Sequence, residues 1–217
     1  MFLSTLDRTT GLYQPIEGLL TRINPRPAVI VDLASGSGET TRRTVSALES
    51  NGTVLNLTDK YPLRLKSNPW SIEKLDVLKD PFPKADLYTI FNAFHHFNHG
   101  ERLLITVKAK NTGGKFLAVE PLQPSLIVFI KVFFSTLLGP LVLAPFMRPF
   151  SFWWILYTYL LPVGLLSVWW DGMASITKSI RYDSFDLIKK EMEDRGNQVE
   201  LGELKGRLAK LRYLLVE

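Results

Sequence analysis

An α/β fold with a doubly wound, mostly parallel sheet of seven strands is the class that the sequence predicts, and three observations predict it. Short apolar runs rich in β-branched residues alternate with helix-period segments through the first 121 residues, the pattern of a parallel sheet flanked by helices. Two strand-like runs close the chain around Lys205-Gly206 and suit an antiparallel pair at the sheet edge. Between them and the fifth strand lies a long stretch with almost no charge, which reads as an apolar helical hairpin inserted after that strand. The organisation expected is therefore residues 1–121, an insert at 122–170, and a completion of the first unit at 171–217.

The elements follow in order. A helix is expected from Tyr13 to Ile23, with Ile16, Leu19, Leu20 and Ile23 on one face and Pro25 and Pro27 ending it. Ala28 to Leu33 is a buried strand that runs into Ala34-Ser35-Gly36-Ser37-Gly38, and Glu39 to Leu48 is a helix. After the turn at Asn51-Gly52 come strands from Thr53 to Leu57 (leading to Thr58-Asp59), Trp70 to Leu75 (leading to Asp76) and Asp86 to Phe91. Asn92 to Phe97 follows, then a helix from Glu101 to Lys110 and a strand from Lys115 to Val119 ending at Glu120-Pro121. Past the insert, a helix from Ser184 to Arg195 precedes the runs Gln198 to Leu204 and Leu208 to Val216. Ser184 suits its N-cap, with Leu187, Ile188 and Met192 on its core face.

Composition excludes several chemistries. With no cysteine there are no disulfides, thiolate metal sites or cysteine nucleophiles. The net charge of +5 comes from scattered residues, without the basic and aromatic interleaving of a single-strand binder, so nucleic acid is not expected as a partner. A basic chain also suits an anionic membrane surface. The first eight residues lack the basic region and apolar core of a secretory leader, so the bulk of the chain is expected in the cytoplasm.

The loop after the first strand carries the chemistry. Glycines let a backbone turn tightly and approach a ligand closely, and ligands of open α/β sheets bind beyond the carboxyl ends of the strands. A dinucleotide site would require a third glycine, whereas Gly36-Ser37-Gly38 is followed by Glu39-Thr40-Thr41. Asp32 and Glu39 flank the loop and favour a cationic ligand over a pyrophosphate, which they would repel.

These residues resemble class I S-adenosylmethionine-dependent methyltransferases, especially those acting on small molecules and lipids, whose fold is Rossmann-like. Val31 to Glu39 is similar to their first motif, although Ala34 stands where the family usually has glycine. The resemblance implies that Asp32, Ala34, Ser35, Gly36 and Gly38 hold the methionine part of S-adenosylmethionine. It implies that Asp59, with Lys60 beside it, binds the ribose hydroxyls, that Asp76 and Val77 flank adenine, and that Asn92 belongs to the fourth motif, Asp86 to Phe97.

His95, His96 and His99 have neither the spacing nor the carboxylate neighbours of a zinc site, so no metal is expected. One of His95 and His96 is expected near the sulfur and the other facing substrate, and either suits a general base. Glu120, Asp171 and Tyr182 are further candidates on the substrate side, the last two in a weak match to the family's Asp-Gly-x-x-Ser and Arg-x-Tyr-like patterns at Asp171, Gly172, Ser175 and Arg181-Tyr182.

From Leu122 to Trp170 the only charges are Lys131 and Arg148. Pro149 to Trp170 has about the length of a bilayer span, and Trp153-Trp154 and Trp169-Trp170 lie roughly 24 Å apart at helical rise, near the spacing of two interfacial belts. Pro140 and Pro162 should kink their helices. A spanning hairpin turning at Met147-Arg148-Pro149, a re-entrant hairpin in one leaflet and a soluble lid are the three arrangements compatible with this. The insert leaves the rim where the ligand binds, so a lipid or other lipophilic acceptor could enter from the membrane, with the protein on the cytoplasmic face of a membrane and anchored by residues 122–170. The rival functions are a non-catalytic membrane-anchored scaffold and a nicotinamide-dependent reductase.

Overall fold

The computed structural model describes residues 2–49, 52–62, 70–121, 126–146, 150–181, 185–206 and 209–217. Expectations placed on Asn51, Leu122, Met147-Arg148-Pro149, Tyr182, Ser184 and Leu208 lie outside the described residues. Seven strands form one sheet: β1 (Val29–Asp32), β2 (Val54–Asp59), β3 (Ile72–Lys74), β4 (Leu87–Phe91), β5 (Lys115–Glu120), β6 (Val199–Lys205) and β7 (Lys210–Val216). Their order is β3-β2-β1-β4-β5-β7-β6, parallel from β3 to β5, with β7 antiparallel to both β5 and β6. The predicted sheet, including its antiparallel C-terminal edge, is the observed one.

The inner strands β1, β4 and β5 read as nearly unbroken apolar runs because both sheet faces are covered there. Val31, Tyr88, Phe116 and Leu214 point to a core shared with α4 (His99–Asn111) and α8 (Phe185–Asp194). Their neighbours Ile30, Leu87, Leu117 and Leu215 point to the other face, against α2 (Gln14–Leu20) and α3 (Glu39–Glu49). Helix α4 begins two residues before its expected start because Asn98 and Glu101 form a reciprocal capping box, at 3.0 and 2.8 Å.

Helix α1 (Phe2–Thr10) has no counterpart among the expected elements. It is held by side-chain contacts to α3 that only the fold creates: Arg8 to Glu39 at 3.5 Å and Arg43 to Asp7 at 3.7 Å.

The insert is helical. Helix α5 (Leu126–Leu143) runs through Pro140 and continues as a 3-10 turn to Phe146, so the kink expected at Pro140 does not interrupt it. A short α6 (Phe152–Ile155) passes into a π-helical turn, Leu156–Leu160, and α7 (Val163–Arg181) follows. Leu126–Phe146 is long and apolar enough to cross a bilayer, with mean hydropathy 2.3 and 11% of it buried. The pair Phe152–Leu160 and Val163–Lys178 meets that test together but is bent by 80° where Pro162 lies. The tryptophan pairs therefore sit on two helices set at an angle, and the straight-helix separation of roughly 24 Å is not realised. Helix α7 continues unbroken across Trp170-Asp171, so the change of composition there is not a change of backbone.

Helices α5 and α7 pack together. Gly172 allows the contact: a Cβ there would fall 2.4 Å from Thr136 Cγ2, so the Asp171-Gly172 pair has a packing role that its sequence match did not suggest.

Candidate active site

The order of strands reverses beside β1, where β2 lies on one side and β4 on the other, and ligands of open α/β sheets bind beyond the strand ends at such a point. The loop from Leu33 to Gly38 occupies it. Ala34, Gly36 and Gly38 have φ of 57°, 59° and 71°, the left-handed region that costs a residue with a Cβ roughly 1–2 kcal/mol. The glycine usual at the position of Ala34 thus has a backbone reason. A Cβ on Gly38 would lie 2.5 Å from Leu57 Cδ1 and 2.9 Å from Trp70 Nε1, so Gly38 is required by space as well as by φ.

Asp59, at the end of β2, accepts the Gly36 N–H at 2.8 Å and the Tyr61 N–H at 2.8 Å, which places its carboxylate against the loop. Ser35 ties β1 to β2: its hydroxyl donates to the Asp32 carbonyl (3.1 Å) and accepts the Thr58 N–H (3.2 Å). Trp70, not anticipated as a site residue, donates its indole N–H to the Ser37 carbonyl at 3.0 Å and lies under the Arg42 guanidinium. A lone tryptophan at the start of a strand carries no sequence signal for that role.

Asp32 lies behind the loop. Its carboxylate is 1% exposed and accepts the hydroxyls of Thr41 and Thr89, both at 2.7 Å. Burial raises its pKa to about 6, against the opposing hydrogen bonds from Thr89, Ser35 and Thr41. The geometry makes Asp32 a brace for the loop. Lys60 and Asp76, both expected at the nucleoside, pair with each other at 3.1 Å, and that contact pulls the Asp76 carboxyl below its ordinary range. Val77 is buried in the core beneath them, while its carbonyl accepts the Lys108 ammonium at 2.8 Å. Asn92 has φ of 50°, a left-handed conformation that asparagine tolerates better than most residues, and donates its N–H to Val119 O at 2.9 Å.

The histidines stand on a 3-10 turn, Phe94–His96, at the carboxyl end of β4. The Arg102 guanidinium fixes that turn by donating to the carbonyls of Phe94 (2.9 Å), Phe97 (2.8 Å) and His95 (3.3 Å). Glu120, at the end of β5, meets His95 twice: Oε2 lies 2.8 Å from Nδ1, and Oε1 accepts the His95 backbone N–H at 3.1 Å. A carboxylate at Nδ1 selects the tautomer with hydrogen there, so Nε2 presents a lone pair. Nε2 is buried and has no partner among the described residues. Glu120 therefore backs the base candidate; it was expected on the substrate side.

The His96 ring is 4.2 Å from that of His95 and retains a solvent-exposed face. The surrounding protein depresses its pKa to about 4, chiefly by desolvation and then through His95 and Lys178, opposed by Asp171 and Glu120. Helix α7 packs on the histidine turn and so brings Asp171 and Lys178 to His96. His99 is separated from the pair and meets Glu191 of α8 at 2.8 Å.

Tyr13, from the turn before α2, is a further residue not anticipated at the site. It is buried with its ring edge-on to Phe91, 6.0 Å between centroids, and its hydroxyl has no partner among the described residues. Burial raises its pKa well above the ordinary value, and the charges of Glu120 and then Asp7 add to this. Its position on an apolar helical face reads as core, which is why the sequence did not single it out. Among the described residues no group of three or more potential metal ligands is found.

No protein-family profile matches the chain, and no curated protein matches it by sequence. Solved structures do match its fold. The plantazolicin methyltransferase BpumL in complex with S-adenosylhomocysteine aligns over 100% of this chain and 88% of its own, with TM-score 0.57 and 12% identity. Human N-acetylserotonin methyltransferase in complex with S-adenosylmethionine aligns over 99% of this chain with TM-score 0.54 and 16% identity. The mitomycin 7-O-methyltransferase MmcR aligns over 94% with TM-score 0.54 and 12% identity. This chain spans about half the length of the latter two, 53% of each. The sheet order, the glycine loop and these likenesses together establish that the chain has the Rossmann-like fold of the class I methyltransferases.

Proposed function

We propose that the chain is an S-adenosylmethionine-dependent methyltransferase acting at a membrane on a lipophilic small molecule or lipid. One observation carries the catalytic part: a histidine backed by a buried carboxylate, its Nε2 buried and unpartnered among the described residues, follows β4, the strand paired with the one that leads into the glycine loop. A bare scaffold has no use for such a base, and a nicotinamide-dependent reductase would need the third glycine that the loop Gly36-Ser37-Gly38-Glu39-Thr40-Thr41 lacks.

The residues fit the donor. Gly36 leaves open space in front of its Cα, and Asp59 stands beside it with acceptor capacity for ribose hydroxyls. S-adenosylmethionine, when bound, supplies an electrophilic methyl group on a sulfonium, and transfer leaves a neutral thioether. His95 Nε2 takes the proton from an acceptor hydroxyl as that oxygen forms its bond to the methyl carbon. Glu120 holds the imidazole in its basic tautomer and stabilises the imidazolium that results. Tyr13, kept protonated by its surroundings and with its hydroxyl unpartnered among the described residues, keeps a proton free to donate on this side. Helix α7 packs on the histidine turn and lines the acceptor side beside His96.

The acceptor is lipophilic because helix α7, which packs on the histidine turn, is continuous with the apolar insert. Leu126–Phe146 combines mean hydropathy 2.3 with only 11% burial, far more apolar surface than soluble chains ordinarily expose. The site then works from the cytoplasmic face, with residues 122–170 as the membrane attachment.

Calorimetric titration of the detergent-solubilised protein with S-adenosylhomocysteine tests the donor site, with Asp59→Ala as control. Micromolar binding that the variant loses is the expected result. Absence of binding to folded wild-type protein refutes the methyltransferase reading.

A further inference from the structure

We infer that the hairpin docks on one leaflet of a bilayer, lying along the cofactor domain with both ends of α5 on the same side. This rests on the membrane attachment proposed above and adds its topology.

The exposed surface runs the length of α5. Ile130, Phe134, Leu138, Val142 and Phe146 recur at four-residue steps and are exposed, while Thr136, Pro140 and Ala144 form the opposite, buried row. No acidic residue lies between Leu126 and Trp170, and the whole chain carries +5, which complements an anionic leaflet. Exposed Trp153, Tyr157 and Tyr159 cluster where the backbone bends, and aromatic residues of this kind favour the headgroup boundary. Lys131 is exposed on α5 and long enough to reach headgroups from an apolar surface. A second copy of the chain would bring like charges together and would meet a face more apolar than most protein interfaces.

The ends of α5 fix the topology. At its far end, Arg8 Nη2 donates to the Phe146 carbonyl at 2.6 Å. The same guanidinium meets Glu39, at the start of α3, and the neighbouring Asp7 meets Arg43 of α3. Phe146 is therefore held to the domain that carries the glycine loop. At its near end, Leu126 follows Glu120 by six residues, at most about 20 Å of chain. Crossing a hydrocarbon core of about 30 Å would carry Phe146 to the opposite side, beyond the reach of any side chain on α1. The 80° bend between Leu160 and Val163 likewise turns α7 back toward the histidines. The rim formed by His96, Asp171 and Lys178 then faces the leaflet edge, where a lipophilic acceptor enters sideways.

The absence of cysteine makes a paired-cysteine test clean. Thr9→Cys/Phe146→Cys protein, with Arg8 retained, is added to preformed vesicles of phosphatidylcholine and phosphatidylglycerol, floated, and treated with a short bis-maleimide. Flotation of most of the protein, with cross-linking on vesicles equal to that in detergent, is the expected result. Flotation with cross-linking lost on vesicles means that α5 crosses, which overturns this inference and leaves the membrane reading standing. Cross-linking absent in both settings removes the tether and overturns it too. Failure to float, whether as a monomer or as a dimer that covers the face, overturns the membrane reading itself.

Discussion

Glu120 grips His95 at two points, the ring at Nδ1 (2.8 Å) and the backbone N–H (3.1 Å), so one carboxylate sets both the tautomer and the place of the imidazole. Glu120→Gln keeps the shape but offers an amide where a carboxylate stabilised the imidazolium. It should lower methyl transfer to a lipid extract about 10²-fold or more, and His95→Gln should do the same, the usual scale for general base catalysis. S-adenosylhomocysteine affinity should stay near the wild-type value in both. A parallel loss of affinity would instead assign the pair to binding.

Tyr13→Phe removes only the hydroxyl and keeps the ring against Phe91. Transfer should fall about tenfold, as for loss of one hydrogen bond to a reacting oxygen, with little change in the urea midpoint. Unchanged transfer would return Tyr13 to the core.

At the loop, Gly38→Ala places a methyl group 2.5 Å from Leu57 Cδ1 at φ of 71°. It should cost about 1–3 kcal/mol, on the scale of an overpacked core, and abolish S-adenosylhomocysteine binding by calorimetry. Ala34→Gly acts in the opposite direction, relieving a left-handed alanine and raising stability by about 1 kcal/mol, or roughly 2–4 °C in a thermal melt.

Two titrations, of a partly exposed histidine and a buried aspartate, oppose each other in pH dependence. His96, with its pKa depressed to about 4, holds fewer protons folded than unfolded, so stability falls as pH drops from about 6.5 toward 4. Asp32, raised to about 6, holds more protons folded than unfolded, so its contribution grows as pH drops from about 6 toward 3.8. Urea unfolding at pH 7 and pH 5 should show less acid destabilisation for His96→Gln than for wild type, and more for Asp32→Asn.

The sheet was legible because its signals are local. Periodicity, β-branched runs and the Gly36-Ser37-Gly38 turn each depend on neighbours in sequence, and strand order follows from short right-handed crossovers. Helix α1 was not legible, since its salt bridges to Glu39 and Arg43 join residues over thirty positions apart. The histidine pair was visible as chemistry, but its partner was not: Glu120 is 25 positions from His95 and becomes its neighbour only because β4 and β5 pair in register.

What the sequence by itself determined is therefore the sheet, the glycine loop and the apolar character of the insert, all encoded in short-range pattern. Only the tertiary structure decided which groups work together. It turned Asp32 inward onto two threonines, paired Lys60 with Asp76, and brought Tyr13 near Glu120 and Arg8 to Phe146. The physical reason is that hydrogen bonds and charge interactions act over a few ångströms in space, and chain distance carries no information about which residues that space will contain.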